Sequence, residues 1–157
     1  MAKKTKSVPD GYHTATPYLN IKNAAAAIVF YKQAFGAVEL VEPFTGPGGV
    51  ILHAEIRIGD SPIMIAEEMP ASGNASPTTL GGSPVTIALY FDDVDAVVAR
   101  AVAAGAKLLR PVADQFYGDR NGRLEDPFGH LWIVGTHKED VPLEEMKQRA
   151  AALFGAA

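Results

Sequence analysis

The chain repeats itself. Shifted by seventy positions, Thr16 falls on Thr86, Leu19 on Leu89, Glu55 on Glu125, Gly59 on Gly129 and Ile63 on Ile133. The glycines that stop two predicted helices, Gly36 and Gly105, are offset by one residue less. A repeat this short constrains the fold, because a unit of that size does not bury its own sheet face alone. Two modules are expected to share a sheet surface, each with a helix packed on its outer side.

Within each module the order of elements reads strand, helix, then three strands. "TATPYLNI" is a strand, Ala24 to Phe35 a helix ending at Gly36, "AVELVE" a short strand, "VILHAEIRI" and "SPIMIA" a hairpin around "GD". The second pass gives "PVTIALYF" as a strand and "DDVDAVVARAVAAG" as a helix, with Asp92 or Asp93 as its N-cap. "AKLLRP" is a short strand, "VADQFYGDRNG" a loop and "RLEDPFGHLWIVGT" a hairpin. The predicted organisation is a tail over 1–12, a first βαβββ module over 13–69 and a Pro/Ser/Gly-rich linker over 70–83. A second module over 84–137 and a helical extension over 138–157 complete it. The fold class is α+β. In "DPFG", Asp126, Pro127 and Gly129 stand where a type I turn wants them, so that stretch is read as a turn rather than as chemistry.

Composition narrows the function. With 157 residues, 48% hydrophobic, 20% charged and a net charge of −4, the chain has no electrostatic reason to seek nucleic acid or an anionic membrane. The absence of cysteine excludes disulfides, thiolate nucleophiles and zinc–thiolate sites. The basic N-terminus lacks the apolar run of a signal peptide, and no stretch approaches a membrane span, so a cytoplasmic location is expected. "IGDSP" echoes a serine-esterase nucleophile block but sits in a hairpin without partner residues. "GPGG" is no phosphate loop, since no Lys-Ser/Thr follows it.

The paired βαβββ modules, "FYKQAFG" closing the first helix and "DPFGHLWIV" in the last hairpin resemble the vicinal oxygen chelate superfamily. That superfamily contains glyoxalase I, extradiol dioxygenases, and the bleomycin- and fosfomycin-resistance proteins. The resemblance covers roughly residues 12 to 137. It implies a half-barrel of sheet around a cavity, often completed across a homodimer. It also implies, in many members, a divalent metal held by inward side chains of the first and last strand of each module. Those positions map onto Thr16, Met64, Thr86 and Val134, none of which offers an imidazole or a carboxylate. No metal or other cofactor is therefore expected, as in the bleomycin-resistance branch.

Strand alternation then assigns the remaining side chains. Leu52, Ala54, Ile56 and Ile58 should lie under the helix, with His53, Glu55 and Arg57 on the other face. A two-residue "GD" hairpin pairs Ile58 with Ser61 and Glu55 with Met64; the repeat places Glu125 beside Val134. The inward face is expected to hold Thr16, Tyr18, Glu55, Met64, Thr86, Tyr90, Arg123, Glu125, Trp132 and Val134 as ligand-binding residues. His53 and Glu55 are the candidates for acid/base work. The plainer reading pairs Glu55 and Glu125 with Arg57, Arg123 or Arg120. Two function classes follow. One is a metal-free protein that binds a small molecule in the cavity. The other is a divalent-metal lyase, isomerase or dioxygenase using His53 and Glu55.

Overall fold

A computed structural model describes residues 5–155. Of the expected tail, residues 1–4 lie outside the described residues, as do the last two of the C-terminal extension. The chain forms two compact units that part between Ser83 and Pro84.

In the first unit, β1 (Tyr18–Ile21) leads into α1 (Ala24–Phe35). Asn23 caps α1 from a left-handed conformation (φ 70°), and Gly36 ends it in the same region, with its N–H reaching back to Lys32 and Tyr31. The Glu67 carboxylate accepts from the backbone N–H of Asn23 and Ala24 at 2.7 and 2.8 Å, placing a negative charge at the helix N-terminus. Two two-residue strands follow, β2 (Val38–Glu39) and β3 (Phe44–Thr45), then the long hairpin of β4 (Ile51–Ile58) and β5 (Ser61–Glu67). The sheet order is β1-β5-β4-β2, with β3 also pairing β4. The predicted register holds: Ile58 faces Ser61 and Glu55 faces Met64 across the two-residue turn, where Gly59 supplies the positive φ.

Alternation sends Ala54, Ile56, Ile58, Ile63 and Ile65 into a core shared with Ala27, Ile28, Tyr31, Ala34 and Phe35 of α1. Leu52 departs from its expected place. It is 40% exposed while Ile51 is buried, because the pairing of β3 with β4 slips between Phe44 and Thr45 and breaks the alternation there. The expected linker is not bare chain. It carries a 3-10 turn at Pro70–Ser72 and the one-turn helix α2 (Pro77–Leu80), whose cap Ser76 is fully buried and held by Glu68.

The second unit repeats the scheme with β6 (Thr86–Tyr90), α3 (Val94–Ala103), β7 (Lys107–Asp114), β8 (Asp119–Glu125) and β9 (Leu131–His137), in sheet order β6-β9-β8-β7. Asp93 caps α3. Most of the predicted loop 112–122 is strand: β7 and β8 extend through it and leave only a tight turn from Gln115 to Gly118. α4 (Leu143–Phe154) follows as the expected C-terminal helix, with no buried residue.

The last hairpin corrects the seventy-residue superposition. In the first unit Tyr18, Met64 and Glu55 stand in one row across the sheet; the matching row in the second is Ala88, Ile133 and Arg123. The turn Pro127–Gly129 is one residue longer than Gly59–Asp60, since Asp126 and His130 are still bonded across its base. It is a type I turn closed by the Gly129 N–H on the Asp126 carbonyl, with Gly129 left-handed at φ 87°. One added residue turns every side chain of β9 over. Trp132 and Val134 therefore lie in the fully buried core under α3, where Ile63 and Ile65 lie under α1, and not on the open face expected for them. For the same reason Glu125 faces Leu131 rather than Val134.

The turn is tied to that core. The buried Asp126 carboxylate accepts from the N–H groups of Phe128 and His130 and from the Trp132 indole, each at 2.9 Å.

Two stability tests follow. Ile65→Ala should cost roughly 3 kcal/mol in equilibrium unfolding, whereas Val29→Ala, on the exposed side of α1, should stay within about 0.5 kcal/mol. Asp126→Ala leaves a buried indole N–H and two backbone donors without that acceptor. It should cost about 3 kcal/mol, with the emission of the chain's one tryptophan becoming accessible to quencher.

Candidate functional site

On the face of the first sheet away from α1, four side chains form one hydrogen-bonded series. The Tyr18 hydroxyl lies 3.1 Å from His53 Nδ1, and His53 Nε2 lies 2.9 Å from Glu55 Oε1. The other oxygen of Glu55 accepts from the hydroxyl of Tyr12. Adjacent strands β1 and β5 bring Tyr18 beside Met64, and Met64 beside Glu55, so the series follows from strand register. His53 and Glu55 are two residues apart on β4 and share its face.

Tyr12 was missed by the sequence reading, which assigned it to the tail. Its signal is weak: an aromatic a few residues ahead of a strand becomes part of the site only once the chain turns back over the sheet. The expected pairing of Glu55 with an arginine is not what forms. Both oxygens of Glu55 go to His53 and Tyr12, while Arg120 bonds Asp95 and Asp114 instead.

Tyr18 is half exposed and lines a cleft of about 370 Å³ together with Asn20, Leu52, Ala66, Met69 and Asn74. Glu67, which holds the start of α1, forms part of its wall. The series thus runs from a half-buried carboxylate to a phenol at the edge of an open cleft. A histidine held between a carboxylate and a hydroxyl has the parts needed to pass a proton between them.

The second sheet carries a different network on its face away from α3. The Tyr90 hydroxyl donates to Asp119 Oδ2 at 2.8 Å, and His137 Nδ1 lies 2.7 Å from Asp119 Oδ1. His137 Nε2 lies 2.9 Å from Asp140. Asp119 is buried, and its hydrogen bond together with burial raises the Tyr90 phenol above its usual value. Nearby, Asn121 receives a bond from Arg110 at 2.6 Å and donates to Tyr117 at 2.8 Å. Arg123 reaches Thr86 at 3.4 Å, and Glu125 has no hydrogen-bond or ion-pair partner among the described residues.

Of the sequence candidates, then, Tyr18, His53, Glu55 and Met64 come together on one sheet, and Thr86, Tyr90, Arg123 and Glu125 share a face of the other. Thr16 precedes β1 and is half-buried. Trp132 and Val134 are core. Asp119 and Asn121, read as loop, are buried polar residues of a strand; nothing in "YGDRNG" signals that they would be. Among the described residues, no three His, Asp or Glu side chains are grouped so as to hold a metal ion. No described helix is long and apolar enough to cross a membrane.

The two carboxylates beside His137 raise its pKa above 6.5, the Asp119 bond most and the Asp140 bond next. A raised folded value means that the imidazolium stabilises the fold. That contribution is complete below about pH 6.5 and is lost as pH rises through the folded value. His137→Asn should therefore flatten the fall in unfolding free energy as pH rises above about 6.5. An NMR titration of the imidazole should place its pKa above that of a free histidine.

Comparison with known proteins agrees with this architecture. An uncharacterized protein of Mycobacterium tuberculosis is 42% identical over 135 residues, spanning 84% of this chain and 79% of that one. The crystallised product of an Arabidopsis thaliana gene superimposes with a TM-score of 0.60 at 29% identity, over 78% of this chain and 98% of that one. The fosfomycin resistance protein FosX of Listeria monocytogenes has the same fold, with a TM-score of 0.60 at 19% identity over 85% of this chain and 97% of that one. Residues 12–134 match the family described as the Glyoxalase/Bleomycin resistance protein/Dioxygenase superfamily, and the chain belongs to it.

Proposed function

We propose that this chain is a metal-free small-molecule binding protein of its superfamily, taking its ligand in the Tyr18 cleft on the open face of the first sheet. The observation that carries the reading is how His53 and Glu55 are used. Both ring nitrogens and both carboxylate oxygens are engaged with each other and with Tyr12 and Tyr18. A divalent ion needs such atoms free and convergent, in sets of three or more. The positions that the superfamily implies for ligands do not make up the shortfall. Thr16 and Thr86 offer hydroxyls, Met64 a thioether suited to soft ions, and Ile133, which stands in Met64's row of the second sheet, is apolar. The residues present do not fit the metal. The open cleft, with Tyr18 and Asn20 as polar groups against Leu52, Ala66 and Met69, has the mixed lining of a small-molecule site. A homodimer in the cytoplasm is the setting kept with this reading.

The second reading, an enzyme built on His53 and Glu55, rests on their hydrogen bond and its continuation to Tyr18.

Elemental analysis of dialysed protein, with a thermal-shift screen of small aromatic and polar compounds, separates the two. Binding without metal predicts far less than one ion per chain and hits whose stabilisation is weakened by Tyr18→Ala. About one divalent ion per chain, lost in His53→Ala and Glu55→Ala, would overturn the proposal.

A further inference from the structure

We propose that the open face of the second sheet carries an oxyanion site built on Arg123 and Arg110, with the Thr86 hydroxyl beside it. It goes beyond the small-molecule reading, which concerns the first unit, and gives the second unit a ligand class of its own: a compound ending in a carboxylate or a phosphate-type group.

Arg110 and Arg123 stand directly opposite each other in the pairing of β7 with β8. Arg110 bonds Asn121, and Arg123 stands two residues from Asn121 on β8, so both lie on the face away from α3. Like charges facing each other across a strand pair repel. Protein folds relieve that cost with a carboxylate, yet no ion pair among the described residues involves either arginine. Among the described residues no ion pair offsets the repulsion.

Each guanidinium is nonetheless fixed. Arg110 is held at 2.6 Å by the buried Asn121, itself held by Tyr117. Arg123 bonds the Thr86 hydroxyl at 3.4 Å, and its Nε is buried without an acceptor among the described residues. Leaving a charged donor buried and unpaired is costly. An oxyanion bridging the two forks would offset both the repulsion and the missing acceptor, because guanidinium binds carboxylate and phosphate oxygens in pairs. Glu125, two residues along the same face and without a hydrogen-bond or ion-pair partner among the described residues, keeps the site from being a general anion trap. It selects ligands that present a hydrogen-bond donor on that side.

The test titrates inorganic phosphate and, separately, acetate into the full chain at constant ionic strength, reading the arginine Nε–H signals by NMR. Arg100 on α3 is the internal reference. Saturable shifts at Arg123 and Arg110, absent at Arg100, are expected. Affinity should fall roughly tenfold in Arg123→Gln, fall less in Arg123→Lys, which keeps the charge, and rise in Glu125→Gln. Phosphate saturating alone would assign a tetrahedral group, acetate alone a planar one. Shifts that merely track Arg100, or an affinity unchanged in Arg123→Lys and Arg123→Gln alike, overturn the site; if Arg123→Gln fails to fold, Arg123→Lys carries the test. The outcome is separable from that of the metal analysis. A bound metal would sink the metal-free reading with the arginine shifts intact, and silent arginines would sink this site while screen hits upheld that reading.

Discussion

The bond from the Trp132 indole to the Asp126 carboxylate holds the second unit to its register. Asp126 begins the turn that adds one residue to the last hairpin, and Trp132 is the first large side chain to enter the core beyond it. By accepting from both the turn backbone and the indole, one buried carboxylate couples the length of the loop to the face that β9 presents to α3. Without that coupling, a strand whose two faces both carry apolar residues has little to choose between registers.

The consequence is that two units of shared ancestry in pattern do different things with their open faces. In the first, a two-residue turn leaves Met64 and Glu55 side by side, with His53 and Tyr18 completing a series of hydrogen bonds. In the second, the same row holds Ala88, Ile133 and Arg123, and polarity moves to the ends of the strands: Asp119 with His137 and Tyr90 at one, the arginine pair further along. One face is dominated by a carboxylate and its donors, the other by guanidinium groups that make no ion pair among the described residues. A ligand spanning either face would meet opposite electrostatics.

Legibility in the sequence followed the range of the interactions involved. α1 was readable to its ends because a helix stripe and a left-handed glycine stop are local features. The β4–β5 register was readable because a Gly-Asp turn admits one closure. Tyr12 was not readable, since its partner Glu55 lies far along the chain and nothing local draws it there. Trp132 was misplaced because the repeat was carried through a turn that contains one residue more. Asp119 and Asn121 were taken for loop because Gly, Asp and Asn are turn formers by propensity, and only pairing with β7 and β9 makes them strand.

What the sequence by itself determined is the α+β class, the repeated βαβββ order, the glycine stop of α1, an aspartate cap for α3, and the face assignment of Glu55 and His53. Each rests on composition, on short-range periodicity or on a resemblance carried by short motifs. Only the tertiary structure decided which side of β9 is core, that Glu55 is held by His53 and Tyr12 rather than by an arginine, and that Arg110 and Arg123 face each other without an ion pair among the described residues. Those outcomes depend on strand pairing between residues distant in the chain. A single inserted residue inverts a strand there without altering any local preference.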